Sequence, residues 1–228
     1  MARKNREARP GKTTLTPQTV VEGALALADT EGLEAVTIRR LAERLGVTPM
    51  ALYWHFRSKD ELLDGMAARI FDEVDASVDA SATWQEQLSA LLDSLLAALR
   101  AHPAAAVLLS TRTVSSEGSL RATEAMLDIL GRGGFSPAQA TQVARHALSS
   151  VVNLVAGEPG VIARDEAEEP REARRRARRF LESLPTERYP RLVEAAGPLS
   201  EGVDPDAYFA FGLELLLAGI EAVAARKR

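Results

Sequence analysis

The residues best suited to chemistry fall within one run, Thr37-Ile-Arg-Arg-Leu-Ala-Glu-Arg-Leu-Gly-Val-Thr-Pro-Met-Ala-Leu-Tyr-Trp-His-Phe56. Arg39 carries a planar fork of donors that matches a guanine edge, and Met50 and Ala51 offer apolar contact to a thymine methyl. Thr37, Tyr53, His55 and, just beyond the run, Lys59 supply hydroxyl, imidazole and ammonium donors for phosphate oxygens. This is the chemistry of recognition and not of bond breaking. The chain has no H-E-x-x-H spacing and no G-x-S-x-G elbow. The glycine run Gly131-Arg-Gly-Gly134 is followed by no Lys-Ser/Thr pair that would make it a phosphate loop. His102 and His146 stand apart from any third ligand, and cysteine is absent. No catalytic residue, metal site or cofactor is expected, and the chain is read as a non-enzyme.

Those side chains act only if short helices present them. Thr37 is placed to cap a helix whose Ile38, Leu41 and Leu45 face inward. Ala42 is small where two helices would cross. Gly46 can take the left-handed conformation that ends such a helix. Thr48 and Pro49 then open a second helix that ends near His55. Val47 and Leu52 can bury against the first helix. Thr48, Pro49, Met50, Tyr53 and Trp54 are left at the N-terminus and outer face, where a recognition helix meets a major groove. Two short helices joined by glycine also occur in helical proteins that never touch DNA. In such a protein Tyr53, Trp54 and Phe56 would be core, and the pattern alone leaves both readings open.

Elsewhere the apolar residues recur at helical spacing, with no sustained strand alternation. A first helix begins at Thr16–Pro17 and buries Val20, Val21, Ala24, Leu25 and Ala28. Capping boxes at Ser58–Glu61 and Thr83–Glu86 open two more helices. The second carries the stripe Trp84, Leu88, Leu91, Leu92, Leu95, Leu96 and Leu99. Further helices are expected from about Leu120 to Leu130, from Ser136 to Ala156, from Arg171 to Leu184 and after Asp204–Pro205. Residues 157–170 read as a loop and 185–205 as turns. The last helix is apolar nearly all round, the mark of a buried or interface helix. No apolar run approaches the roughly 20 residues that span a bilayer, the basic start is not a secretory signal, and a cytoplasmic protein with no membrane partner is expected. The 228 residues are 46% hydrophobic and 26% charged, an ordinary globular balance that excludes disorder and a disulfide scaffold. Ten Lys/Arg and seven Asp/Glu within residues 1–60 make a basic head, and the net charge of −4 leaves −7 on the remainder.

Residues 16–70 resemble the DNA-binding domain of the tetracycline-repressor (TetR) family of bacterial transcription regulators. The matching pieces are Glu31-Gly-Leu33, Thr37-Ile-Arg39, Leu41-Ala42, Leu45-Gly46-Val47, Leu52-Tyr-Trp-His-Phe56, Lys59 and Leu62-Leu63. Leu99-Arg-Ala-His-Pro103 and Gly134-Phe-Ser-Pro137 look like the regulatory domain of the tetracycline-repressor subgroup. The resemblance implies an all-α fold: a basic, flexible arm over 1–15, a three-helix helix-turn-helix domain over 16–62, and a larger ligand-binding and dimerisation domain over 63–228. It implies a homodimer, joined through helices near 137–156 and 205–225, that holds a palindromic DNA operator and releases it when a small effector binds. The small residues Ala140, Ala144, Ala147 and Ser150 suit a close helix approach there.

The same resemblance argues against tetracycline chemistry. Thr111-Arg112 matches a pocket loop, but Leu108 stands where that subgroup has its magnesium-binding histidine, and Leu91 falls near its drug-holding asparagine. An unknown, apolar effector is expected instead, in a pocket lined from Leu88, Leu91, Leu92, Leu95, Leu108, Leu127, Val143 and Ala147. Six arginines between Arg171 and Arg179 read as a solvated helix, with a second nucleic-acid patch as the lesser reading. The arm either stays free or reaches into the minor groove. The alternatives to a repressor are an activator, or a helical ligand-binding or scaffolding protein without operator recognition.

Overall fold

The computed structural model describes residues 15–77, 79–112, 116–158, 170–201 and 203–226, and among them there is no strand. The chain divides into two compact units, one up to Met66 and one from Ala67. The expected arm falls almost wholly outside the described residues, as does most of the loop expected over 157–170.

In the first unit α1 (Pro17–Glu31) opens on Thr16, whose hydroxyl accepts from the Thr19 amide at 3.1 Å. A 3-10 turn (Leu33–Ala35) leads to α2 (Ile38–Leu45) and α3 (Pro49–Tyr53). Helix α4 (Lys59–Asp72) starts here and runs on past the unit boundary. Ser58 Oγ accepts from the Glu61 amide at 3.1 Å, while the Glu61 carboxylate accepts from the Arg57 amide at 2.6 Å. The expected box therefore reaches one residue further back than the usual reciprocal pair. Val20, Ala24, Leu27, Leu41, Leu52 and Leu62 are buried completely or nearly so, with Phe56 beside them. Burying each of the larger side chains among them is worth about 1.5–3 kcal/mol. Ile38, Leu45 and Val47 are half-buried, less enclosed than their spacing suggests.

The second unit is built around α5 (Trp84–Ala101), which packs against α7 (Glu117–Arg132), α8 (Pro137–Ala156) and α12 (Pro205–Ala225). Its leucine stripe is buried from Leu88 to Leu99. The Thr83–Glu86 capping box is formed, and hydrogen bonds from the Thr83 hydroxyl and amide hold the Glu86 carboxyl below its ordinary range. A 3-10 turn (Pro103–Ala105) and α6 (Leu108–Thr111) follow Pro103. Helix α7 begins earlier than expected because Ser116 caps it, a signal that lies ahead of the apolar periodicity. Gly118, in its first turn, lies directly on the end of α4. A Cβ there would stand 2.9 Å from both the backbone nitrogen and the α-carbon of Asp72.

Helix α9 (Pro170–Glu182) packs on α11 (Ala196–Ser200) and on α10 (Pro190–Glu194). The segment expected to be turns thus holds two single-turn helices. Pro190 and Pro198 sit in their first turns, where the missing N–H has no intrahelical partner to lose. Arg100 ties α5 to α12: its guanidinium lies 4.4 Å over the Phe209 ring and donates to Asp206 at 2.9 Å. Contrary to the expectation above, α12 is long and apolar enough, by length and composition, to cross a membrane. Only Phe209, Leu213 and Ile220 of its residues are buried, while Phe211 (60%) and Leu215 (59%) are exposed.

Candidate nucleic-acid interface and ligand cavity

Helices α2 and α3 form the expected helix-turn-helix. Gly46 takes φ 65°, ψ 32°, the left-handed conformation, and its amide closes α2 onto Ala42 and Glu43. Leu41 and Leu52 seal the angle between the helices. Thr37 Oγ1 accepts from the Arg40 amide at 3.2 Å, and Thr48 Oγ1 accepts from the Ala51 amide at 3.3 Å. Capping uses only the oxygen of each hydroxyl, so each retains a proton to donate to a phosphate.

The other candidate residues are set outward around these caps. Met50 (67%) and Trp54 (85%) are strongly exposed, and Tyr53, Pro49 and Lys59 are exposed as well. Ala51 and His55 are half-buried. Phe56 is the one aromatic of the run that turns into the core. Arg39 reaches Glu43 at 3.4 Å, with both side chains largely in solvent. An exposed i,i+4 pair of this kind is worth only about 0.3–0.5 kcal/mol, so it holds the guanidinium weakly. The neighbouring Arg40 is paired to Glu31, and Arg44 donates to Thr30 at 3.4 Å. Thr37, Arg39, Thr48, Pro49, Met50, Tyr53, Trp54 and Lys59 are thus all exposed to solvent.

In the second unit an apolar cavity of about 250 Å³ lies between α5, α7, α8 and the end of α4. Phe71, Val74, Leu91, Leu95, Met126, Leu127 and Leu148 supply its greasy wall, Ala122 and Ala144 its small residues, and Thr123, Thr141 and Arg145 its polar groups. Of the pocket residues expected from sequence, Leu91, Leu95 and Leu127 line it. Leu88, Leu92, Leu108 and Ala147 are instead buried in the core, and Val143 is half-buried outside the lining. The signal that could have found the α8 wall is Thr141 and Arg145, polar residues one turn apart, with Leu148 continuing the same face. Among the described residues that line it, the cavity offers neither imidazole nor carboxylate. The described lining therefore does not fit a magnesium–tetracycline complex.

Some expected features stand differently in space. His102 Nε2 lies 3.6 Å from Glu73, which also accepts from Arg69 at 2.9 Å, so this histidine is part of a polar cluster. Ala140 and Ala147 are buried within the chain, Ala144 faces the cavity, and Ser150 lines a groove between α8 and α12. They do not form a single outward stripe. Helix α9 exposes its arginines from Arg174 onward, and Arg178 pairs with Glu182 at 2.8 Å. The acidic residues just before it, Asp165, Glu166, Glu168 and Glu169, lie outside the described residues.

A helix-turn-helix unit and a second, cavity-bearing helical unit, with no strand among the described residues, make up the architecture of a one-component, ligand-responsive DNA-binding regulator. Two family models match it. The model for bacterial regulatory proteins of the tetR family matches residues 20–66, and the tetracyclin repressor-like C-terminal domain matches residues 79–224. The chain is 31% identical to an HTH-type transcriptional regulator of Saccharopolyspora erythraea, over 93% of this chain and 87% of that protein. It is 32% identical to the class C tetracycline repressor protein of Escherichia coli, over 91% of each. Its fold is similar to the Streptomyces coelicolor TetR family protein ActR in complex with actinorhodin. That match has a TM-score of 0.79 and 29% identity, covering 95% of this chain and all of that one. The chain belongs to the TetR family of transcriptional regulators. Proteins of this family are DNA-binding regulators that bind operators, dimerise and take small-molecule ligands.

Proposed function

We propose that the protein is a repressor that holds a palindromic operator as a homodimer and lets go when a small molecule fills the cavity beneath α7 and α8. The observation that carries this reading is the helix-turn-helix surface. Glycine-hinged α2 and α3 leave Arg39, Met50 and Trp54 in solvent, with capped threonines and Lys59 beside them. Large apolar side chains are left exposed beside cations where a major groove is to be read. Residues 16–62 are the DNA-reading part, and residues 63–228 bind ligand and partner. The dimer forms through α8 and α12, where Phe211 and Leu215 are otherwise uncovered. An effector that binds the released state 100-fold better than the DNA-bound state supplies about 2.7 kcal/mol of coupling per site.

The test is selection of a random double-stranded DNA pool on the purified protein at about 150 mM salt, because affinities at low salt report phosphate contacts above all. The expected result is a palindrome with half-sites about one helical turn apart. No enrichment over random sequence, with the protein folded and dimeric, overturns operator recognition.

A further inference from the structure

The cavity is apolar throughout its depth and charged at one point. Val74, Leu91, Leu95 and Met126 are buried, whereas Thr123, Thr141 and Arg145 are exposed, so the polar groups mark the mouth. Arg69, Arg100, Arg132 and Arg178 each pair with a carboxylate, whereas Arg145, like Arg121, Arg174, Arg175 and Arg176, has no acidic partner among the described residues. What sets Arg145 apart is its place in the cavity lining, on a part of the chain that is acidic overall. An unpaired guanidinium at the rim of a greasy hole is a ready site for a carboxylate-type anion, which it can grip through two parallel N–H donors. A charge carried to the bottom would meet no polar partner and would be strongly disfavoured.

We infer that the effector is an amphipathic organic anion that enters apolar end first and leaves a single acidic group at the mouth on Arg145. The inference rests on the cavity being the effector site, and it replaces a purely apolar effector with one of mixed character. The threonines refine its outline. The Thr141 hydroxyl donates to the Pro137 carbonyl at 2.9 Å, so toward the cavity it can only accept. It suits a hydroxyl or N–H of the ligand, one helical turn from the anion on Arg145. Thr123, on the facing helix α7, engages its hydroxyl in no hydrogen bond among the described residues and can donate to the anion.

The experiment is calorimetric titration of the full chain, without DNA, using 2-naphthoate and its neutral counterpart 2-naphthamide as probes. The expected result is saturable binding with naphthoate at least tenfold tighter, which is about 1.4 kcal/mol. Arg145→Gln, a change at an exposed position, should abolish that preference by weakening naphthoate and leaving naphthamide alone. Ala122→Phe, which fills the hole from its wall, should remove both; Leu127→Phe serves the same end if circular dichroism shows Ala122→Phe to be unfolded. Equal affinity for the two probes, an unchanged preference in Arg145→Gln, or no saturable binding of either up to about 1 mM overturns the inference. Release of the selected operator by naphthoate is measured separately. Binding of the expected kind without release leaves the anion site standing and overturns its coupling to operator release.

Discussion

Two of the surfaces that expose large apolar side chains differ in what surrounds them. Around α3, Met50 and Tyr53 stand on a five-residue helix with Trp54 at its C-cap, in a stretch that also holds Arg39, Lys59 and two threonine hydroxyls. On α12, Phe211 and Leu215 stand on a 21-residue helix whose charged residues are acidic up to its last turn, namely Asp206, Glu214 and Glu221. An apolar residue in solvent says that something covers it, and its charged neighbours say what. Cations and hydroxyls around an aromatic suit a polyanion with greasy base edges. A long, nearly uncharged helix suits a copy of itself, since a two-fold interface sets the same surface on both sides. The lesson is that exposure alone does not distinguish a nucleic-acid surface from a protein surface, whereas charge context does.

The change expected to do most is Leu215→Glu. It should turn the dimer into a monomer by sedimentation equilibrium and cost operator affinity about 10²–10⁴-fold, because the two heads then bind as separate molecules. A persistent dimer would show that α12 is covered by something other than its twin, and the contrast between the two surfaces would fail. Arg39→Ala should act only at the other surface. It should cost about 1–3 kcal/mol on the operator and relax selection at one base position, read by repeating the DNA selection. Equal weakening on specific and random DNA would reassign Arg39 to the backbone. Lys59→Ala should have the smallest effect. It should weaken all sequences alike and lower the salt slope of binding by about 1, measured by anisotropy across a salt series. Neither head variant should alter the dimer.

The helix-turn-helix was legible because its determinants are local. A threonine cap, a glycine that tolerates positive φ and a proline at N1 fix the geometry within twelve residues of one another, so Thr37, Gly46 and Thr48–Pro49 could be read in order. The cavity was less legible because its wall is assembled from separate helices. Leu88, Leu91, Leu92 and Leu95 look alike in one dimension. Only the packing of α7 and α8 decides that Leu91 and Leu95 meet the hole while Leu88 and Leu92 are enclosed. The alanines of α8 misled for the same reason. Small residues suit any close approach, and Ala140 and Ala147 use theirs inside the chain. The membrane-like character of α12 escaped because Glu214 and Glu221 interrupt the run in sequence without changing its overall composition.

Gly118 carries a consequence for genetics. Any replacement adds a β-carbon toward the Asp72 backbone, and backbone cannot swing aside as a flexible side chain can. Overpacking of this kind costs about 1–3 kcal/mol, a large share of a marginal stability. In a saturation screen scored by reporter silencing, the glycine codon will therefore look as intolerant as that of Arg39. The two phenotypes part when cellular protein is quantified alongside: alleles at 118 lose their silencing through depleted protein, while those at 39 keep abundance and lose only the promoter.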